Sequence, residues 1–181
     1  MKKILSLILM TAFVFVCYSQ EIREPQFAGE GILVKNNNIT KLEKNIVKLE
    51  TNSGMAVMWG AAIKTNIEIK GAKSPVRTTT EEPIVLIVKA LNNEYDPTAF
   101  INIFKFNQTK KYRKATLSKE GVFGKSKGNT LEYIDYTAEK YGEKSYKLVI
   151  NVTEPCEIGI IMTNPDRVDE KQLVVSCLGI D

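Results

Sequence analysis

Two apolar runs near the end of the chain, residues 158–162 and 173–177, constrain its fold more than any other feature. A polar loop separates them, and each carries or adjoins one cysteine. Folded back as an antiparallel hairpin with Met162 opposite Lys171, they set Ile160 against Leu173, Ile158 against Val175 and Cys156 against Cys177. One register aligns every pair and puts the apolar ones on a single face, which is how a half-buried hairpin is specified. The pattern predicts a closing hairpin stapled by a Cys156–Cys177 disulfide, with two buried free thiols as the alternative.

Upstream, short strand candidates recur at spacings of about ten residues. Residues 31–35 end in Asn36, Asn37 and Asn38, a cluster that tolerates left-handed backbone. In 39–49, Ile39, Leu42, Ile46 and Leu49 fall at helical spacing, whereas Val47 and Leu49 alternate. Strand is favoured there, because Gly54 and the β-rich surroundings leave little room for an isolated helix. Residues 55–59 follow as a strand, and 66–70 alternates with Ile67 and Ile69 on one face. The β-branched stretch 76–80 comes next. Residues 84–88 are apolar on both faces, which marks a central, doubly covered strand, expected to pair with the aromatic-rich 100–106. Segments 112–117, 131–136 and 146–152 complete the set. Without a convincing long helix, this spacing predicts an all-β chain: a two-layer antiparallel β-sandwich or jelly roll of about nine to eleven strands. A single domain would span 27–181 behind a disordered lead at 20–26.

The chain opens with Lys2 and Lys3, an uncharged apolar run over 4–16, and Ser19–Gln20. This reads as a secretory signal peptide over 1–19, since the run is shorter than the roughly 20 residues a membrane-spanning helix needs. Cys17 as the acylated first residue of a lipoprotein is a second reading, opposed by bulky Phe15 and Val16 ahead of it. No later segment is long and apolar enough for a transmembrane helix. The expectation is an exported protein: periplasmic, outer-membrane-associated or extracellular. Such a compartment is also what a disulfide requires.

The formal charge of +4 includes Lys2 and Lys3, so about +2 remains without them, too little to imply nucleic acid as a partner. There is no histidine. That removes Ser-His-Asp and Cys-His catalysis and His-ligated zinc, and it leaves neither cysteine an activating base. No Gly-rich phosphate loop, Cys-x-x-Cys or nucleophile elbow occurs. No catalytic residue, metal site or cofactor is expected.

One stretch is strongly basic. Lys105, Lys110, Lys111, Arg113, Lys114, Lys119, Lys125 and Lys127 stand against a single acid, Glu120. Lys105, Lys110, Lys111, Arg113 and Lys114 form a candidate patch for an anionic ligand, with Phe106, Tyr112 and Phe123 interleaved for stacking. The competing reading is a solvated edge strand whose lysines block edge-to-edge pairing. Glu81 with Glu82, Glu132 with Asp135, and Asp166, Asp169 and Glu170 are carboxylate groupings that read as loop acids. Trp59 reads as a core residue rather than a sugar-stacking platform.

The stretch Lys70-Gly71-Ala72-Lys73-Ser74-Pro75-Val76-Arg77, the Asp96-Pro97 turn and the ending Val175-Ser176-Cys177-Leu178-Gly179-Ile180-Asp181 resemble small exported proteins of Bacteroidetes-type bacteria. The resemblance implies export and an all-β fold, and brings no activity with it. Pro155-Cys156-Glu157-Ile158 departs from the Pro-Gly-Glu-Tyr of similar chains at the position that allows the staple. The function expected is non-enzymatic binding or assembly at the cell envelope, with an anionic glycan or an envelope protein as partner. A carboxylate-dependent hydrolase of envelope glycans and a structural subunit of a surface assembly are the alternatives.

Overall fold

The computed structural model describes residues 22–51, 63–120, 126–127, 130–163 and 172–181. Two β-sheets face each other, as the spacing of short strands predicts. The smaller sheet runs in the order β12 (Tyr136–Tyr141), β13 (Ser145–Ile150), β7 (Ile84–Lys89), β1 (Gly31–Lys35), β2 (Asn38–Lys41). The larger runs β3 (Glu43–Lys48), β15 (Gln172–Ile180), β14 (Cys156–Met162), β8 (Ile101–Gln108), β9 (Tyr112–Glu120), β5 (Ile63–Lys70), β4 (Glu50–Thr51). Short strands extend it: β6 (Arg77–Thr78) beside β15, β10 (Ser126–Lys127) beside β9, and β11 (Glu132–Tyr133) beside β8. The strand pairs are antiparallel except β6 with β15, which is parallel. Among the described residues there is no α-helix, and none is long and apolar enough to cross a membrane.

Two cores result. Between the sheets, Leu33, Leu86, Val88, Tyr146, Leu148 and Ile150 of the smaller sheet meet Ile101, Ile103, Ile158, Ile160, Leu178 and Ile180 of the larger. The larger sheet also curls into a half-barrel that brings β3 toward β5. Inside the curl lies a second core of Val47, Ile67, Ile69, Phe104, Phe106, Ala115, Ile161, Leu173, Val175 and Cys177. Strands β8, β14 and β15 are therefore covered on both faces. The run 84–88 is central in its own sheet, but it pairs with β1 and β13; 100–106 lies in the opposite sheet, so the two do not pair as expected.

The closing hairpin forms with a different register. Cys156 lies opposite Ile180, Ile158 opposite Leu178, Gly159 opposite Cys177 and Ile161 opposite Val175. Against the expected pairing this is a slip of three residues, an odd number that exchanges the faces of one strand relative to the other. Cys156 packs on the inter-sheet core and Cys177 within the half-barrel, on opposite faces of one sheet. The Cys156–Cys177 disulfide is thus corrected: both thiols are free. Apolar alternation does not select a register in strands buried on both sides. Glycines do. A Cβ at Gly159 would come within 2.5 Å of the Phe104 ring and 2.8 Å of the Phe106 ring, and Gly179 likewise makes room for a charged group.

Two smaller readings hold in sharper form and a third changes. Residues 39–49 are strands, as favoured, but the chain passes from one sheet to the other at Leu42. That is why Ile39 and Ile46 are exposed while Leu42 is buried, despite their helical spacing. Asn36 and Asn37 take positive φ of 50° and 61°, forming the two-residue turn between β1 and β2. Residues 22–26, expected to be disordered, include a segment held on the β12–β13 hairpin. Tyr141 donates its hydroxyl to the Ile22 carbonyl, the Lys144 amide donates to Glu24 at 3.2 Å, and Lys89 pairs with Glu24 at 3.7 Å. The strand expected at 55–59, Trp59, and the acids Asp166, Asp169 and Glu170 lie outside the described residues.

Candidate functional site

The basic stretch does not form one ridge. Arg113 is 1 % exposed, because on β9 it shares its parity with Ala115, which faces the half-barrel core. Its guanidinium grips Glu43 of β3 through two bonds of 2.7 and 2.9 Å and donates to the Gly71 carbonyl at 3.1 Å. Glu157 of β14, 3 % exposed, stands 4.0 Å away on the other side. Glu157 in turn accepts the Ser74 amide at 2.8 Å and Arg77 at 2.6 Å. Arg77 then holds Asp181 through bonds of 2.7 and 2.5 Å. Five charges, Glu43, Arg113, Glu157, Arg77 and Asp181, alternate in sign and plug one end of the half-barrel.

Glu43, Arg113, Arg77 and Asp181 are each shifted toward the charged form. Burial pushes the Glu43 carboxyl up, but hydrogen bonds from Arg113, Asn45 and Ser74, with the charge of Arg113, together outweigh this and leave it below its ordinary value. Burial acts against the Arg113 charge too, but its bonds to Glu43 together with the nearby Cys177 and Glu157 leave it raised. Hydrogen bonds to Asp181 and then Glu157 raise Arg77, and Arg77 lowers Asp181. Bidentate arginine–carboxylate pairing is the geometry that best offsets the cost of burying such charges. Glu43 and Glu157 are thus both engaged by arginine.

Arg113 therefore leaves the anionic-ligand patch. Lys105 leaves it as well. It sits on the face of β8 toward the smaller sheet, like Ile101 and Ile103, and pairs with Glu132 at 2.8 Å. Lys110 and Lys111 remain, exposed at the β8–β9 turn. On the outer face of β9, Lys114 pairs with Glu68 at 2.6 Å and lies 5.3 Å from the centre of the Tyr112 ring. Lys70 of β5, which was not singled out, stands directly across from Tyr112 and is exposed. The strict alternation of 66–70 carries the signal for it: with Ile67 and Ile69 inside, Lys70 points outward. What survives is Lys70 and Lys114 beside Tyr112, with Glu68 paired to Lys114, and the exposed Lys110 and Lys111 in the adjoining turn. Lys125 lies outside the described residues.

Neither cysteine is set up for reaction. Burial pushes the Cys177 thiol up to about 12 and raises Cys156 as well, so the thiol form prevails at neutral pH. Among the described residues no cluster of three or more cysteine, aspartate or glutamate side chains is placed to hold a metal ion. Comparison with known proteins finds no matching family model, no matching curated protein and no matching solved structure.

Proposed function

We propose that the chain is an exported, non-enzymatic β-sandwich that binds an anionic ligand at the cell envelope through the outer face of β5 and β9. The observation that carries this reading is the placing of Lys70 and Lys114 beside Tyr112 on the outer face of β5 and β9, with Lys110 and Lys111 exposed in the adjoining β8–β9 turn. Lysines disposed this way attract phosphate or sulfate groups, and attraction between exposed charges weakens as salt rises. The leader-like N-terminus and the resemblance to small exported proteins support the envelope as the place. A glycan hydrolase is the weaker reading, since the partly buried Glu43 and the buried Glu157 are bound by arginine. Assembly through open edges is weaker too: the edge strands β2 and β12 carry Lys41, Glu139 and Lys140, residues that oppose edge-to-edge pairing.

The test is retention on heparin at low salt. The wild type is expected to bind and to elute as salt rises, while a variant with Lys70, Lys110, Lys111 and Lys114 all changed to Ser flows through with an unchanged thermal melt. Absence of wild-type retention at low salt would remove the reading.

A further inference from the structure

The chain crosses twice from one sheet to the other on the same side of the sandwich. Residues 134–135 connect β11 to β12, and 151–155 connect β13 to β14. Between these crossings lies a groove of about 360 Å³ lined by Lys105, Tyr133, Ile134, Asn151, Val152, Thr153 and Glu154. It belongs to neither the charged plug nor the lysine face. Its size falls at the small end of the ligand sites of proteins, roughly 300 to 1,000 Å³.

The lining is divided by chemistry. Ile134 is buried and Val152 is partly buried, both packed against the inter-sheet core, so they form an apolar floor. Tyr133, 44 % exposed, adds an aromatic side. Asn151, Thr153 and Glu154 are exposed, and their side chains make no hydrogen bond to another described residue. An amide, a hydroxyl and a carboxylate thus offer both donors and acceptors over an apolar base. Lys105, the lysine of the lining, is paired with Glu132. Counting Lys105, Glu132 and Glu154 gives a local charge of −1, which disfavours an anion.

From this we infer that the groove is a binding site for a neutral sugar unit. A pyranose ring matches it in kind: hydroxyls for Asn151, Thr153 and Glu154, and a C–H face for Ile134, Val152 and Tyr133. Glu154 is the carboxylate among the described lining residues, and glycoside hydrolysis takes two flanking the bond. With Glu132 held by Lys105, the role assigned to the groove is binding.

The experiment is an amide NMR titration of the whole protein with the methyl glycosides of glucose, galactose, mannose and N-acetylglucosamine, each at millimolar concentration, and separately with a heparin fragment. At least one glycoside is expected to shift the amides of residues 133–134 and 151–154. The same titration of N151A/T153A, and separately of Y133A, should lose those shifts while the rest of the spectrum and the thermal melt stay as in the wild type. Three results overturn the assignment: no shift with any glycoside, glycoside shifts that persist in both variants, or shifts of these amides by heparin alone. Heparin shifts confined to residues 70 and 110–114 concern the lysine face and leave the groove to be judged by the glycosides.

Discussion

Gly179 lies opposite Glu157 across β14 and β15, and the Arg77 guanidinium occupies the space that a Cβ on residue 179 would take. That Cβ would stand 2.1 Å from Arg77 Nη1 and 3.0 Å from Glu157 Oε1. Gly179→Ala is therefore expected to destabilise the fold by about 1–3 kcal/mol, the usual cost of overpacking a filled site. Urea unfolding measures it. In an Arg77→Ala background the same substitution should cost clearly less, because the clashing group is gone. Equal costs in the two backgrounds would place the penalty elsewhere.

Removing Arg113 leaves Glu43 without its bidentate partner and takes from Glu157 the more distant of its two cations, Arg77 remaining. The loss expected for Arg113→Ala is about 3–5 kcal/mol, typical of breaking one side of a buried ion pair. Arg113→Lys should recover only part of it, since an ammonium cannot make both bonds to Glu43. A variant as stable as the wild type in urea would mean that the plug contributes nothing.

The plug also ties stability to pH. Glu43 is held below its ordinary value of 4.5, so in the folded state it gives up its proton more readily than in the unfolded chain. The stability it contributes is complete above that value and is lost as pH falls through the lower, folded one. Unfolding measured from pH 6 down to pH 2 should show this loss in the wild type. In Glu43→Gln the neutral-pH stability should already be reduced and the acid-side slope shallower. Identical slopes would contradict the assignment.

Thiol labelling tests the hairpin register. In native protein kept without reductant, Cys177 should resist alkylation, being fully buried, and half-buried Cys156 should label slowly. After unfolding in urea, still without reductant, both should label at once. Protection of both in the unfolded chain would show them joined, and so would restore the register in which they face each other.

Much of the architecture was legible in local pattern. The alternation of Ile67 and Ile69 with Glu68 and Lys70 identified β5 and its inner face, and Asn36–Asn37 marked the β1–β2 turn. The site was less legible. Arg113 counts as one more cation in a basic stretch until its parity with Ala115 is noticed, and even that parity does not name Glu43, 70 residues away, as its partner. The groove was invisible, because the connections that form it are adjacent only once two strand pairs have been placed in opposite sheets.

The sequence by itself determined an all-β sandwich of short strands and the absence of any histidine-based chemistry, because backbone alternation and composition are local or global properties that need no partner. Only the tertiary structure decided the hairpin register, the fate of the two cysteines and the dispersal of the basic residues. Where β8, β14 and β15 are buried on both faces, apolar pattern does not distinguish one register from the next. The choice falls to shape and charge: Gly159 beneath two phenylalanine rings, and Gly179 beside the Arg77–Glu157 pair.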